Sequence, residues 1–232
     1  MIATRGLTHR YGETVAVDDV SLSIPDGEFC LLVGHNGSGK STLVRHFNAL
    51  LDPDEGEVLV DGQPVQADLV ASRTAVAMVF QDPRDQLVAA TVGAEVAFGP
   101  ENLGLSRSEI DRRVADALDA VRMTGRQDDR ITELSGGERE RVAIAGALAM
   151  EPSHLILDEP FTGLDRPARC SVRDHLESLN DGETGIVVVT HDPGAVVDLA
   201  DRVVALADGS VALDATPTEA RDRLADFDIP AP

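Results

Sequence analysis

The sequence predicts an α/β fold with a mixed sheet core, an antiparallel β subdomain and an inserted helical subdomain. Short alternating segments fill the first sixty residues, and a helical pattern runs from about residue 82 to residue 150. Apolar strands separated by a helix return after that, which is the βαβ order of a parallel sheet. The chain has 232 residues, 43% of them hydrophobic, so we expect a single domain over 1–232.

The amino-terminal elements are mostly strands. Strands are predicted over residues 2–8, 15–24 and 28–33, because apolar residues alternate in the second and run continuously in the third. A glycine-rich turn then leads into a helix over 40–51, and strands over 57–60 and 75–80 follow. We expect the opening strands to pair antiparallel.

The second half of the chain alternates helix and strand. A capping box of Ser106 and Glu109 starts a helix whose apolar residues recur at helical spacing, and another helix is predicted over 139–150. Strands over 154–157 and 185–189 flank a helical stretch that begins after Pro167. A hairpin of 203–207 and 210–213 around Asp208-Gly209 and a helix over 217–226 complete the chain.

The charge is strongly negative. Twenty basic residues against 41 acidic ones give a net charge of −21, and the basic residues are 19 Arg and a single Lys, Lys40. This balance argues against nucleic acid or anionic lipid as a partner, because both need a cationic face. The excess of acid, with 26 Asp and 15 Glu, is typical of proteins that stay soluble in concentrated salt, and an ordinary acidic surface is the alternative.

Membrane spans, targeting segments and disulfides are not predicted. No stretch approaches the ~20 apolar residues that a span needs. The first residues carry no apolar segment of the signal-peptide type, and Cys30 and Cys170 have no ligand-like neighbours. We therefore expect a cytoplasmic protein with reduced thiols.

A phosphate-binding loop lies directly after the strand over 28–33. The pattern G-x-x-x-x-G-K-[ST] is matched by Gly34, His35, Asn36, Gly37, Ser38, Gly39, Lys40 and Ser41, and Thr42 follows it. Glycines let backbone N–H groups turn around a phosphate, and the following helix adds positive potential. Lys40 can bridge β- and γ-phosphate oxygens and the Ser41 hydroxyl can ligate Mg²⁺, so the motif predicts ATP and Mg²⁺.

Two acids end the strand over 154–157. In a parallel sheet this edge faces the nucleotide crevice, so Asp158 can hold Mg²⁺ through water. Glu159 is then free to polarise the attacking water. Such a pair of acids is common in loops, and by itself it would decide nothing.

A third motif stands between these two. Leu134-Ser135-Gly136-Gly137-Glu138 opens a helix, where Ser135 and the N–H groups of Gly136 and Gly137 would contact a γ-phosphate. With the two earlier motifs this pentapeptide resembles the signature of the ATP-binding cassette (ABC) ATPases. Further matches follow in the family's order and cover nearly the whole chain: Tyr11, Gln81, Gly163-Leu164-Asp165 and His191.

The resemblance implies a role for each matched residue. Tyr11 would stack on adenine, Gln81 would sense Mg²⁺ and the attacking water, and His191 would hold the γ-phosphate. Glu159 would be the general base. The signature residues would reach the nucleotide of another subunit, and Asp165 would contact that subunit.

A narrower resemblance lies in residues 80–102, which look like those of the energy-coupling factor (ECF) importer ATPases of vitamin, cobalt and nickel uptake. It implies a homodimer or a dimer of paralogous ATPases at the cytoplasmic face of the membrane. A transmembrane coupling component and a substrate-binding membrane component would be the partners. The group usually has an acid where Arg84 stands, so the charge pairing rests on Asp85 or is rearranged, and Arg84, Asp85 and Gln86 are expected to line the docking surface.

Other interpretations of the sequence stay open. A soluble ABC ATPase of an assembly system, such as iron–sulfur cluster assembly, is the main rival, and a nucleotide-binding module without turnover is disfavoured by Glu159. The charges over 138–141 are interpreted as a solvated helix face. Five histidines are interpreted as structural or exposed: His9, His35, His46, His154 and His175.

Overall fold

A computed structural model describes residues 1–180 and 184–227 of the chain. The strands are β1 (Ile2–Tyr11), β2 (Thr14–Ile24), β3 (Phe29–Val33), β4 (Glu55–Val60), β5 (Gln63–Pro64), β6 (Val76–Val79), β7 (His154–Asp158), β8 (Gly185–Thr190), β9 (Arg202–Ala207) and β10 (Ser210–Ala215). The α-helices are α1 (Lys40–Phe47), α2 (Leu69–Ala75), α3 (Val92–Asn102), α4 (Arg107–Ala120), α5 (Gly136–Leu148), α6 (Arg166–Leu179) and α7 (Pro217–Arg221).

The strands form two sheets. A six-stranded sheet has the order β10-β9-β3-β8-β7-β6, in which β10 pairs antiparallel with β9 and the other pairs are parallel. A four-stranded antiparallel sheet has the order β2-β1-β4-β5. The predicted mixed sheet and antiparallel opening are therefore confirmed.

The central strand β3 is buried on both faces, which explains its unbroken apolar sequence. Phe29, Leu31 and Val33 belong to a core that includes side chains of α3, α4 and α5. Cys30 and Leu32 belong to a second core, shared with α1 and the antiparallel sheet. Because side chains alternate along a strand, β3 contributes to both cores. Its position is therefore well determined, and so is the start of the turn that follows its carboxyl end.

Several element ends differ from the sequence-based expectations. Helix α1 ends at Phe47 instead of residue 51, because Ala49 takes a left-handed φ of 56° and the Leu50 N–H donates to the Arg45 carbonyl. Helix α7 ends at Arg221 instead of residue 226, and α5 begins at Gly136, three residues early. Strand β5 and helix α2 were not predicted, although Asp68 caps α2 by accepting from the Ala71 N–H.

Three of the helices, α3, α4 and α5, lie inside the range 82–150 that the sequence assigns to a helical subdomain. Their buried side chains share one core with the six-stranded sheet. Within residues 1–180 and 184–227, the helices are too short or too polar to cross a membrane.

Candidate functional site

The turn between β3 and α1 is built around glycine. Gly37 and Gly39 have φ angles of 85° and 100°, which L side chains rarely adopt. A Cβ on Gly39 would also lie 2.3 Å from the Ala16 carbonyl oxygen of β2. Gly39 caps α1, so the first N–H groups of that helix have no intrahelical partner and can meet an anion.

Lys40 is the first residue of α1 and is buried. Its Nζ donates to the Gly34 carbonyl at 2.7 Å and to the His35 carbonyl at 3.1 Å. Burial lowers the pKa of the Lys40 ammonium, and the charges of Glu159 and Asp158 act in the opposite direction. The ammonium is thus held on the loop by weak neutral acceptors that a phosphate can replace.

Ser41 and Asp158 meet where α1 faces the end of β7. The Ser41 hydroxyl donates to Oδ1 of Asp158 at 3.0 Å, although the two residues are far apart in sequence. Burial raises the pKa of Asp158, and the hydrogen bond from Ser41 opposes that shift. A hydroxyl and a carboxylate are hard oxygen ligands, so this pair fits Mg²⁺ that takes its other ligands from phosphate and water.

Glu159 is buried and has a left-handed φ of 54°. Its Oε1 accepts from the backbone N–H of His191 at 3.0 Å and lies 2.8 Å from the Nδ1 of that residue. Its Oε2 accepts from the hydroxyls of Thr190 at 3.2 Å and Thr162 at 3.4 Å. The left-handed backbone conformation of Glu159 directs its carboxylate toward the end of β8, and both carboxylate oxygens accept hydrogen bonds there.

These residues surround one cleft of about 460 Å³. It is lined by Tyr11, Ala16, Asn36, Gly37, Ser38, Gly39, Lys40, Ser41, Thr42, Gln81, Glu159, Thr162 and His191. Gly34 and His35 contribute their carbonyls to Lys40, and Asp158 lies behind Ser41. Ala16 and Thr162 were not predicted, since a lone Ala or Thr carries no signal in a sequence.

The signature residues lie elsewhere in the chain. Ser135 caps α5 in a capping box with Glu138, and its hydroxyl donates to Oε2 of Glu138 at 2.7 Å. Ser135, Gly137 and Asp165 line a different cleft of about 310 Å³. In the described part of the chain, the two clefts share no lining residue.

A groove of about 840 Å³ adjoins the nucleotide-sized cleft. Gln81 and Thr162 line both of them. The other lining residues are Arg45, Leu50, Leu51, Phe80, Asp82, Pro83, Arg84, Asp85, Gly136, Arg139, Glu140, Gly163 and Leu164. Gly136 of the signature therefore lines this groove, unlike Ser135 and Gly137. We call this surface the Gln81 groove.

The side chains of the segment after Gln81 bond mainly to other residues of the same segment. The Arg84 guanidinium forms a two-pronged pair with the Asp82 carboxylate, with Nε 2.9 Å from Oδ1 and Nη2 2.5 Å from Oδ2. The backbone N–H of Phe80 donates to Oε1 of Gln86 at 2.8 Å. Arg84 and Asp85 line the groove as expected, whereas the Gln86 amide turns inward. Gln86 is half-buried and is not among the residues that line the groove, and its place in the docking surface stays a prediction.

Glu140 also departs from expectation. The interpretation of 138–141 as a solvated face is wrong at this residue, which is 3% exposed and borders the Gln81 groove. Burial, with a smaller contribution from the Asp82 charge, raises the pKa of Glu140 to about 8. Glu140 therefore carries a proton at neutral pH.

The comparisons with known proteins now decide the family. The family model described as ABC transporter matches residues 17–162. The chain belongs to the ABC transporter ATP-binding family. The ABC ATPase resemblance and fold class are therefore confirmed, and the activity is ATP hydrolysis.

Relatives support the narrower resemblance too. A putative ABC transporter ATP-binding protein of Halobacterium salinarum is 62% identical over 232 residues and covers all of both chains. The energy-coupling factor transporter ATP-binding protein EcfA of Methanocaldococcus jannaschii is 44% identical, over 94% of this chain and 80% of that protein. The resemblance to the ECF group is therefore confirmed.

Solved structures agree with the fold. The cbiO1 protein of Clostridium perfringens, described as part of the ABC transporter complex cbiONQ, has a TM-score of 0.86 and 34% identity, over 98% of this chain and 95% of that one. An ATP-binding cassette solved as a dimer with ADP and Pi has a TM-score of 0.82 and 29% identity, over 94% of this chain and 99% of that one.

Proposed function

We propose that the chain is the ATP-hydrolysing subunit that powers an ECF-type membrane importer of a vitamin or a transition-metal ion. The observation that supports this most directly is that Gln81 and Thr162 line both the nucleotide-sized cleft and the Gln81 groove. ATP binding or hydrolysis in the nucleotide-sized cleft could therefore shift Gln81 and Thr162, and a partner bound in the Gln81 groove would contact the shifted residues.

The residues of the cleft suit the binding of ATP. Lys40 would exchange the Gly34 and His35 carbonyls for phosphate oxygens, and the N–H groups at the start of α1 would donate to the same phosphates. The Tyr11 ring, half exposed at the cleft, would stack on adenine. Ser41 and Asp158 would hold Mg²⁺, which when bound neutralises charge on the β- and γ-phosphates.

Glu159 would serve as the general base. It would take the proton of the water that attacks the γ-phosphorus, while the bond to the β,γ-bridging oxygen breaks and ADP leaves. In the present arrangement Oε1 of Glu159 is engaged by His191. We propose that His191 turns toward the γ-phosphate when ATP binds, and that this releases the carboxylate.

The position of the signature supports a dimer. Ser135 and Gly137 line a cleft separate from that of Lys40, so one chain does not bring them to its own phosphates. In a homodimer or a dimer with a paralogous ATPase, ATP would join the loop of one chain to the signature of the other. The site is then complete on ATP and opens after hydrolysis.

The Gln81 groove is the proposed docking surface of a transmembrane coupling component, which would sit beside a substrate-binding membrane component. The chain would lie at the cytoplasmic face of the membrane. Relatives named energy-coupling factor ATP-binding proteins support this, and none of the relatives quoted above favours the iron–sulfur assembly alternative.

The test is charge reversal in the groove. Asp85→Arg should leave the ATPase rate of the free subunit within about threefold, because exposed charges contribute little to a distant reaction. Recovery of the membrane component from detergent-solubilised membranes, and solute uptake, should fail. Glu177→Arg, at an exposed acid on α6, is the matched control. Normal recovery and uptake with Asp85→Arg would refute docking at this groove.

A further inference from the structure

Two buried histidines lie behind the nucleotide-sized cleft. His9 is on β1 and His46 is on α1, and both are buried. Nδ1 of His9 lies 3.3 Å from Nε2 of His46, and the ring centroids are 4.8 Å apart at 70°. The mechanism proposed above uses neither of them.

The pair connects the two ends of the cleft. Nδ1 of His46 lies 2.8 Å from the carbonyl oxygen of Thr42, which directly follows the phosphate-loop pattern in the first turn of α1. On the other side, the His9 ring packs edge-to-face against Tyr11, with centroids 4.7 Å apart at 79°. Thr42 and Tyr11 both line the cleft, so two imidazoles link the phosphate end to the proposed adenine end.

The hydrogen-bond partners fix the proton positions. A carbonyl oxygen only accepts, so Nδ1 of His46 carries the hydrogen that the Thr42 carbonyl receives. Nε2 of His46 is then an acceptor, and Nδ1–H of His9 is its donor, shared with the Asp52 carbonyl at 3.1 Å. The bond between the rings therefore requires that the accepting ring, His46, be neutral.

The surroundings keep His46 neutral at pH 7. Burial is the main cause that lowers the pKa of His46, and the neighbouring His9 acts in the same direction. The acids that face the pair come from the turn after α1. Asp52 opposes the shift at His46, and Oδ2 of Asp54 lies 3.8 Å from Nδ1 of His9. Nε2 of His9 is buried and has no hydrogen-bond partner within the described ranges.

We propose that His9 is a positioning residue for the nucleobase: with His46 it holds the Tyr11 ring at a set place relative to the phosphate loop, and only while the His46 imidazole is neutral. The inference rests on the stacking role of Tyr11 proposed above. The ring of Tyr11 is 50% exposed, so the edge contact with His9 restricts a side chain that would otherwise sample several rotamers. Restricting it in advance reduces the entropy cost of stacking.

The experiment compares the dissociation constants of MgATP and magnesium tripolyphosphate, a ligand without a base. Tyr11→Ala should weaken ATP about tenfold and leave tripolyphosphate unchanged. His9→Ala should weaken ATP about three- to tenfold, with tripolyphosphate within about twofold. His175→Ala is the matched control, because His175 is also a buried histidine, its Nδ1 has no partner among the described residues, and its loss should leave the ratio of the two constants unchanged.

The pH profile separates positioning from a structural role. The preference of the wild type for ATP over tripolyphosphate should be constant above pH 7 and fall at acid pH, where His46 gains a proton; because burial lowers the pKa of His46, the fall should lie below the ordinary histidine value of about 6.5. The ratio largely cancels the titration of the polyphosphate itself. His9→Phe keeps a ring against Tyr11 but cannot form the hydrogen bond to His46, so its preference should lie below the wild-type value at pH 7 and should not change with pH.

The outcomes distinguish this inference from the proposed function. If Tyr11→Ala binds ATP normally, the stacking role fails and the inference fails with it. If Tyr11→Ala weakens ATP while the His9 variants do not, the inference alone is overturned. Equal weakening of both ligands by His9→Ala, or a flat wild-type pH profile, would also overturn it, since a merely structural residue would produce that result.

Discussion

At the scale of single residues, the most constrained group is the Glu159 carboxylate. Its four hydrogen-bonding contacts come from His191, Thr190 and Thr162, and all of them end on two oxygens. A base needs a lone pair directed at its proton donor, so at least one contact must be given up before water is activated. In the proposed mechanism the γ-phosphate of bound ATP would offer His191 an alternative acceptor, so release of the Glu159 carboxylate would depend on the substrate.

Glu159→Gln tests this assignment. The amide keeps the size of the side chain but cannot take a proton, so ATP binding should persist while turnover falls by about 10²-fold or more. The variant should accumulate as an ATP-bound dimer, visible by size-exclusion chromatography with and without nucleotide. Exposed Glu133→Gln serves as the control, and near wild-type hydrolysis by Glu159→Gln would remove Glu159 from the role.

Lys40 offers a second test because it is the one lysine of the chain. An amine-directed reagent can modify Lys40 and the amino terminus, and burial lowers the pKa of Lys40, which increases its reactive neutral fraction. Saturating ATP should protect Lys40, as read by mass spectrometry. The amino terminus is the internal control, since it pairs with Asp26 and Asp61 away from the cleft. Equal labelling of Lys40 with and without ATP would contradict the phosphate-loop assignment.

At the scale of elements, the charged residues at the start of helix α5 lie in two different environments. Glu138 pairs with Arg126 at the helix start, whereas Glu140 is buried at the border of the Gln81 groove. The helix carries a signature at its first turn and a protonated carboxyl one turn later. Burial of the Glu140 carboxyl, with a smaller contribution from the Asp82 charge, favours that protonation by raising its pKa.

Glu140→Gln should change how stability depends on pH. The folded-state pKa of about 8 lies above the ordinary value of about 4.3, so the folded state holds an extra proton between these values. The wild-type free energy of unfolding should therefore fall as the pH rises through this window, by at most ~1.4 kcal/mol per pH unit. Chemical denaturation at pH 5 and pH 8 measures it. Glu140→Gln should lose this slope, exposed Glu133→Gln should keep it, and parallel slopes in all three proteins would contradict the buried proton.

The same helix shows what the sequence could and could not predict. The phosphate loop, the acids after β7 and the signature were identifiable because glycine, lysine and acid at set spacings have a chemical reason. The burial of Glu140 could not be predicted, because residues 138–141 alternate in charge as an exposed helix face does. The Gln81 groove that Glu140 borders is formed by residues distant in sequence. Helix α2 was missed because its seven residues are too few for a periodic pattern, and His9 and His46 meet through tertiary contact alone.

At the scale of the whole molecule, electrostatic repulsion acts against the fold. Forty-one acids and 20 bases leave −21 charges, and exposed ion pairs such as Arg107–Asp111 compensate little. A net charge this large keeps a protein soluble but destabilises its compact state through self-repulsion.

Salt should therefore stabilise the protein. Screening shortens the reach of repulsion from ~10 Å at 0.1 M salt to ~3 Å at 1 M, so we expect the melting temperature to rise with KCl into the molar range. A triple variant, Glu13→Gln with Glu133→Gln and Glu177→Gln, removes three exposed acids without touching the nucleotide-sized cleft. It should melt higher than the wild type at low salt and gain less from KCl, because less repulsion remains to be screened. A wild-type melting temperature that is flat or falls between 0.1 M and molar KCl would show that the acidity has another origin, and an unchanged salt response in the triple variant would show that screening of these charges is not the cause.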